Sequence, residues 1–359
     1  MSSVPPPPKW LFAGPLPPPV HGQAIATSRL QQALTPHLRL EVLDTAAGGR
    51  GAWPRIGAHW ALLRRCLERR GVRLYLSLNA NAGMVLSVVI AIAVLLRGGR
   101  VVLHHHSFAH IRRARMILRP LGLAAERVLH LTQCPRMGAL LQAQYGGWRC
   151  ASLHNAALVD PALRQLPLRG AGPKLVLGHL ANLSEEKGLT RALQAFVALR
   201  DAGYDAQLLL AGPAVDEHAQ GVLRQACSAH PEHVRWMGPL NVEGKREFFA
   251  AIDVFLFPSL YRNETQGIVN LEAMAAGVPV IAIDQCCVGA DIGQDGGAAV
   301  ANADEFDAAL LHFAAALRQD SQEAAARARR RFDELLVQAD EDLQALLRVM
   351  GAADLHEDC

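Results

Sequence analysis

Acidic side chains are scarce in the first half of this chain. Residues 1–170 hold 5 Asp and Glu against 21 Lys and Arg (21 − 5 = +16), whereas residues 171–359 hold 28 against 15 (15 − 28 = −13). The two balances add to the whole-chain value of +3. A split of this size between halves is a domain-level signal. A disulfide framework is also missing. Cys66, Cys134, Cys150, Cys227, Cys286, Cys287 and Cys359 are odd in number, form no C-x-x-C, and include an adjacent pair poorly placed to bond to each other. Reduced thiols in a cytosolic protein are the expectation. The opening MSSVPPPPKW has no apolar core of signal-peptide type. The strongest apolar run, GMVLSVVIAIAVLL at 83–96, has 14 residues. It is too short to span a bilayer and reads as a buried helix. No G-x-G-x-x-G follows the first apolar run and no G-x-x-x-x-G-K-[ST] occurs. These absences weigh against a dinucleotide oxidoreductase and a P-loop enzyme.

At 359 residues the chain is long enough for two ordinary domains, and 51% hydrophobic composition supplies their cores. Strand-like runs KWLFAG, LRLEVLDT, VRLYLSL, RVVLHHH and ERVLHLT alternate with helical stretches in the first half. The second half repeats the rhythm with KLVLGHL, AQLLLAG, HVRWMG, DVFLFPS and VPVIAI. This βαβα alternation predicts α/β domains, each a mostly parallel sheet with helices on both faces. Pro161, Pro167, Gly170, Gly172 and Pro173 mark a linker over 156–173. The expected division is 1–160, 161–335, and a helix and tail over 336–359. Two doubly wound domains facing a central cleft place the site at the carboxyl ends of their strands.

The segment YRNETQGIVNLEAMAAG (261–277) carries Glu264 and Glu272 around Gly267. DVFLFPS ends a strand, YRNETQ is a polar loop, and GIVNLEAMAA reads as a helix ending at Gly277. The free amides of its first turn suit an anion. Carboxylates repel a phosphate but accept hydrogen bonds from hydroxyls on either side of one, which describes a nucleotide sugar. The alternatives are a plain capped helix, with Glu264 near the positive dipole and Glu272 solvated, and a glycosidase acid–nucleophile pair. Two carboxylates on one loop–helix unit fit the glycosidase arrangement poorly.

E-x7-E followed by A-M-A-x-G-x-P-V-I, after F-x-F-P-S, resembles the retaining glycosyltransferases of family 4, which have the GT-B fold. The resemblance covers most of the chain and is most specific over 234–283. It implies that Glu264 contacts the transferred sugar, Glu272 the donor ribose, and Gln266 and Gly267 the diphosphate end. In LGHLANLSEEKGL (177–189), Lys187 and Gly188 match the family's diphosphate-binding K-G, while Asn182 stands where an arginine is usual. In VVLHHHSFAH (101–110), His104 and His106 share one strand face and His105 the other. Relatives carry a histidine here that faces the donor sugar, and His106 is assigned to that role with His104 as second candidate. In AGPLPPPVHGQA (13–24), Gly22 and Gln23 are contacts where many relatives have a glycine-rich loop; a stiff connecting loop is the alternative.

The implied activity is retaining sugar transfer from a nucleotide-sugar donor to a saccharide acceptor. The implied mechanism is front-face, with the leaving diphosphate helping to deprotonate the acceptor. No cofactor and no divalent metal are expected, because charge stabilisation falls to Lys187 and helix amides rather than to a D-x-D-bound ion. A non-catalytic partner subunit and a sugar-nucleotide epimerase on the same fold remain as alternatives. Two basic segments with apolar neighbours, 60–73 and 108–123, suit an anionic membrane leaflet, whereas no aromatic-basic nucleic-acid module is visible. The expectation is therefore a cytoplasmic enzyme held peripherally on the inner face of the membrane, acting on a lipid-linked saccharide.

Overall fold

The structure, a computed structural model, describes residues 8–18, 22–46, 52–78 and 82–351. Among these the chain forms two compact units, one of residues up to Leu158 together with those from Gln338 on, the other Val159–Val337.

The first unit holds β1 (Lys9–Gly14), α1 (Gly22–Leu34), β2 (Arg39–Asp44), α2 (Ala52–Glu68), β3 (Arg73–Leu78) and α3 (Ala82–Leu96). It continues with β4 (Arg100–His105), α4 (Ala109–Arg112), a 3-10 segment (Met116–Arg127), β5 (Val128–Thr132), α5 (Pro135–Tyr145) and β6 (Cys150–Ser152). All its strand pairs are parallel, in the order β2-β1-β3-β4-β5-β6. The central strands β3, β4 and β5 are buried along almost their whole length because both faces are covered, and they bury polar Ser77, His104, His105, His130 and Thr132 among apolar residues. Trp10, Phe12, Leu30, Leu34, Tyr75, Leu346, Leu347 and Met350 form one core on the α1 face. The indole N–H of Trp10 donates to the Met350 carbonyl (2.9 Å), which fixes the end of the last helix.

The second unit holds β7 (Leu175–Leu180), α6 (Leu189–Asp201), β8 (Ala206–Ala211), α7 (Glu217–Ala229), β9 (Val234–Trp236) and α8 (Val242–Ala251). It ends with β10 (Val254–Phe257), α9 (Ile268–Ala275), β11 (Val280–Ile283), α10 (Val288–Ile292), β12 (Gly297–Val300) and most of α11 (Phe306–Met350). The sheet is parallel, in the order β12-β11-β10-β7-β8-β9. Counted from β7 this is the 3-2-1-4-5-6 winding, whose direction reverses between β7 and β10. Helix α11 bends at Asp320 (φ −153°, ψ 79°) and carries the chain back to the first unit.

One expectation is corrected. Helix α3 is not wholly buried: Val85, Val89 and Leu96 lie on its exposed face, Leu96 at 83% exposure. They recur at helical spacing on one side, while Met84, Val88, Ala91 and Val94 pack inward. Cys66, Cys150, Cys227 and Cys286 are free thiols. Cys359 lies outside the described residues.

Candidate active site

Strands β7 and β10 neighbour each other but feed loops that turn to opposite sides, which opens a crevice at their carboxyl ends. The loop after β7 carries Lys187. Gly188 follows in the left-handed region (φ +85°), and a Cβ there would lie 2.2 Å from the Pro258 carbonyl oxygen. Only glycine fits this approach. The Leu260 amide then donates to the Glu186 carbonyl (2.8 Å), tying the β7 loop to the β10 loop. A third loop joins them: the Gln285 amide donates to the Ser259 carbonyl (2.6 Å), and the Cys287 N–H to the Thr265 carbonyl (3.0 Å).

The consequence is an ion pair between residues 77 positions apart. Lys187 Nζ lies 2.6 Å from Glu264 Oε2, with side-chain exposures of 24% and 12%. The same ammonium stands 4.4 Å from the Tyr261 ring centroid. A lysine near the start of α6 is unfavourable without an anion beside it, and Glu264 supplies one. Gln266 is fully buried, and Gly267 caps α9 with φ +64°. A Cβ on Gly267 would lie 2.8 Å from the Phe257 ring, so glycine lets the turn close over that ring.

Glu272 follows in the second turn of α9. It is not solvated: it is 6% exposed, and both of its oxygens take a hydrogen bond from Lys245 Nζ, each at 2.7 Å. Each carboxylate of the E-x7-E pair thus has its own lysine. Two cations from separate elements neutralise the two acids. Neither Tyr261 nor Lys245 was singled out by sequence. Their tasks follow from tertiary neighbours, and no local spacing signals them. Asn182 is exposed in the turn after β7.

The remaining candidates lie in the first unit, at the carboxyl ends of its strands. Gly22 opens α1, and the Gln23 amide donates to Ser77 Oγ (2.9 Å) and the Leu78 carbonyl (3.2 Å). Gln23 therefore pins the start of α1 to the end of β3. His104 and His106 share a face as expected, with ring centroids 3.9 Å apart. His104 Nδ1 is engaged by the Tyr75 hydroxyl (2.7 Å), and His106 by the Gln133 amide (3.3 Å). One D-x-D string does occur, Asp340-Glu341-Asp342, contrary to the expectation that no such motif is present. It sits inside α11, where Asp342 accepts from the His154 amide (3.1 Å), a structural task.

His105 lies on the opposite face in a buried series. Its Nδ1 is 2.7 Å from His110 Nε2 and its Nε2 is 3.0 Å from His130 Nδ1, while His130 stacks on Trp148. Burial, with lesser contributions from Arg115 and His110 respectively, lowers His110 to about 4 and His130 to about 3. Burial also holds His105 well below its ordinary value. The unfolded chain binds these protons near pH 6.5 and the folded chain does not, so stability is full above pH 6.5 and falls as pH drops toward 4 and 3. For His110 alone the loss is on the order of 3 kcal/mol. Chemical denaturation at pH 7 and pH 4.5 should show it, and His130→Phe should flatten the slope.

Residues 174–316 match the family model described as "Glycosyl transferases group 1". The chain is 36% identical over 98 residues to a phosphatidyl-myo-inositol mannosyltransferase of Mycobacterium leprae, covering 27% of this chain and 25% of the relative. It is 34% identical over 112 residues to a GDP-mannose-dependent monoacylated alpha-(1-6)-phosphatidylinositol monomannoside mannosyltransferase of Corynebacterium glutamicum, covering 30% and 29%. The aligned region thus spans between a quarter and a third of these relatives. Among solved structures, Anabaena Alr3699/HepE in complex with UDP superposes with a TM-score of 0.67 at 16% identity, covering 95% of this chain and 100% of that one. Sucrose-phosphate synthase of Thermosynechococcus elongatus gives 0.67 at 16%, covering 96% and 100%. The fold is GT-B. At these identities the structural likeness carries the fold alone.

Proposed function

We propose that this chain is a retaining glycosyltransferase that moves a sugar from a nucleotide-sugar donor to a lipid-linked saccharide in cell-surface polysaccharide or glycolipid synthesis. The observation that carries the reading is the Lys187–Glu264 pair at the β7/β10 crevice, beside the amides that open α9. It lies within the segment that matches the glycosyltransferase model. The names of the relatives, which describe mannosyl transfer to phosphatidylinositol species, support a lipid-linked acceptor.

In this reading Lys187 and the α9 amides near Gly267 meet the diphosphate and stabilise the charge that develops as it leaves. Glu264 orients the sugar and Glu272 accepts the ribose hydroxyls. Asn182 and Gln266 add neutral polar contacts, and His106, Gly22 and Gln23 are the substrate contacts of the first unit. The protein supplies orientation and charge, and the leaving diphosphate takes the acceptor proton. A thermal-shift panel of nucleotide sugars tests the reading, because a ligand that binds only the folded state raises its apparent stability. At least one donor should raise the melting temperature of the wild type, and a flat response to the whole panel would refute the reading. With charge assigned to Lys187 and amides, EDTA should leave transfer within about twofold of its untreated rate, which is under 0.5 kcal/mol. Loss of activity restored by manganese or magnesium would reverse this point.

The acceptor side is proposed to sit at an anionic leaflet on the cytoplasmic side. Right-handed crossovers put α2, α3 and the 3-10 segment in one layer on one face of the first sheet. Trp53, Trp60 and Leu67 recur every seven residues along α2 and are exposed, the two tryptophans at 83% and 62%. Val85, Val89 and Leu96 line the exposed side of α3, which packs against α2 and the 3-10 segment, where Met116 and Leu123 are exposed. Residues 52–127 contain 13 Arg, no Lys or Asp, and only Glu68 and Glu126 as acids. Arg112, Arg113, Arg115 and Arg119 are all exposed. Each basic residue near such a surface contributes about 1 kcal/mol, so a few suffice for reversible attachment. No helix among the described residues is long and apolar enough to cross a membrane. Binding to liposomes should require anionic lipid and weaken as salt rises. Equal sedimentation with neutral vesicles, or none with anionic ones at low salt, would count against it.

A further inference from the structure

We propose that Lys245 is a positioning residue for the donor ribose, acting through Glu272; the assignment rests on the donor reading above. Glu272 leans back along α9 toward its N-terminus, the direction in which a diphosphate would sit. A nearly buried carboxylate in that position faces two costs, its own desolvation and repulsion from the phosphates. Lys245 offsets both. One ammonium bonds to both carboxylate oxygens, each at 2.7 Å, which fixes the plane of the carboxylate as well as cancelling its charge.

The geometry leaves the chemistry that a ribose needs. An ionised carboxylate has about four acceptor sites. Lys245 takes one on each oxygen, so each oxygen can still accept from a hydroxyl, and two hydroxyls on adjacent carbons match that spacing. The lysine comes from a rigid element. It lies on α8, whose first turn is capped by Asn241 accepting from the Gly244 amide (2.8 Å), and α8 packs on β7. Its side chain is 23% exposed, and its ammonium is bonded to the carboxylate rather than left to water. Sequence alone ties Lys245 to nothing, because its partner is 27 positions away on another helix.

The test is titration calorimetry with UDP, GDP and their 2′,3′-dideoxy counterparts on the wild type and on Lys245→Ala, Lys245→Arg and Glu272→Gln. The wild type should bind the ribonucleotide about tenfold or more tightly than the dideoxy form, the size expected for a charge-assisted pair of hydrogen bonds. Lys245→Ala should shrink that ratio to within about twofold, with a smaller loss of dideoxy affinity because the uncompensated Glu272 carboxylate then repels the diphosphate, and Lys245→Arg should restore most of both. A wild-type ratio in Lys245→Ala, with the ratio lost in Glu272→Gln, would overturn the role of Lys245 and leave the ribose contact standing. Equal losses for both nucleotides in Lys245→Ala, the pattern of a distorted fold, would overturn it too. A ratio kept in Glu272→Gln, or a wild type that binds neither nucleotide, would remove the donor reading of Glu272 and this assignment with it.

Discussion

Glu264→Ala should lower sugar transfer at least about a hundredfold, the scale of one interaction that stabilises a transition state, while UDP or GDP binds the variant as well as the wild type or better. The two halves of this result have different origins. Transfer falls because the carboxylate that orients the sugar is gone. Nucleotide binding does not fall because Glu264 is assigned to the sugar and not to the diphosphate. It can tighten because Lys187 is held by Glu264 at 2.6 Å in the free protein, and a diphosphate must compete for that ammonium. Removing the carboxylate frees the lysine and leaves it partly buried without a counter-ion. The free variant should therefore be less stable by about 1 kcal/mol and should gain more from nucleotide than the wild type does. Melting curves with and without UDP or GDP, beside a transfer assay, measure both halves. Transfer at the wild-type rate, or a nucleotide affinity that falls in step with turnover, would contradict the assignment.

Lys187→Ala should be damaging in both respects. Its ammonium is assigned to the charge that develops on the departing diphosphate, and a donor aimed at developing charge is worth about a hundredfold to a thousandfold in turnover. Diphosphate affinity should also drop, by about tenfold for one charge-assisted hydrogen bond. Lys187→Arg should recover part of the affinity, since charge is kept while the compact ammonium is replaced by a planar fork. Steady-state kinetics separate the terms: a fall in kcat with a rise in KM is expected. A kcat/KM within about threefold of wild type would show that Lys187 is only a salt-bridge partner of Glu264.

Most of the fold that sequence revealed is buried on both faces. Ten strands were visible, from KWLFAG to VPVIAI; eight are interior, where neighbours cover both faces, and β2 and β9 lie at sheet edges. Cys150–Ser152 and Gly297–Val300 were missed. Both are short edge strands, and Cys-Ala-Ser and Gly-Ala-Ala-Val carry little strand preference. The start of α9 was legible because Gly267 interrupts a polar loop ahead of an apolar helix. The state of Glu272 was not. A glutamate in a helix reads as solvated until α8 brings Lys245 against it. The exposed side of α3 was hidden for the opposite reason. An all-apolar helix reads as buried on every side, and only its neighbours decide which side stays open. Lys187 and Glu264 were each singled out, but their pairing depends on the Gly188 turn against Pro258, a tertiary approach that two distant motifs do not announce.

The most direct measurement follows nucleoside diphosphate release and the anomeric configuration of the transferred sugar across a panel of nucleotide sugars that includes GDP-mannose and UDP-glucose. The wild type should consume at least one donor and pass the sugar on with its configuration retained, and the Lys187→Ala/Glu264→Ala double variant should do so at less than about one hundredth of that rate. A wild type that consumes no donor, a product of inverted configuration, or a double variant as fast as the wild type would contradict the assignment of sugar transfer to the β7/β10 crevice.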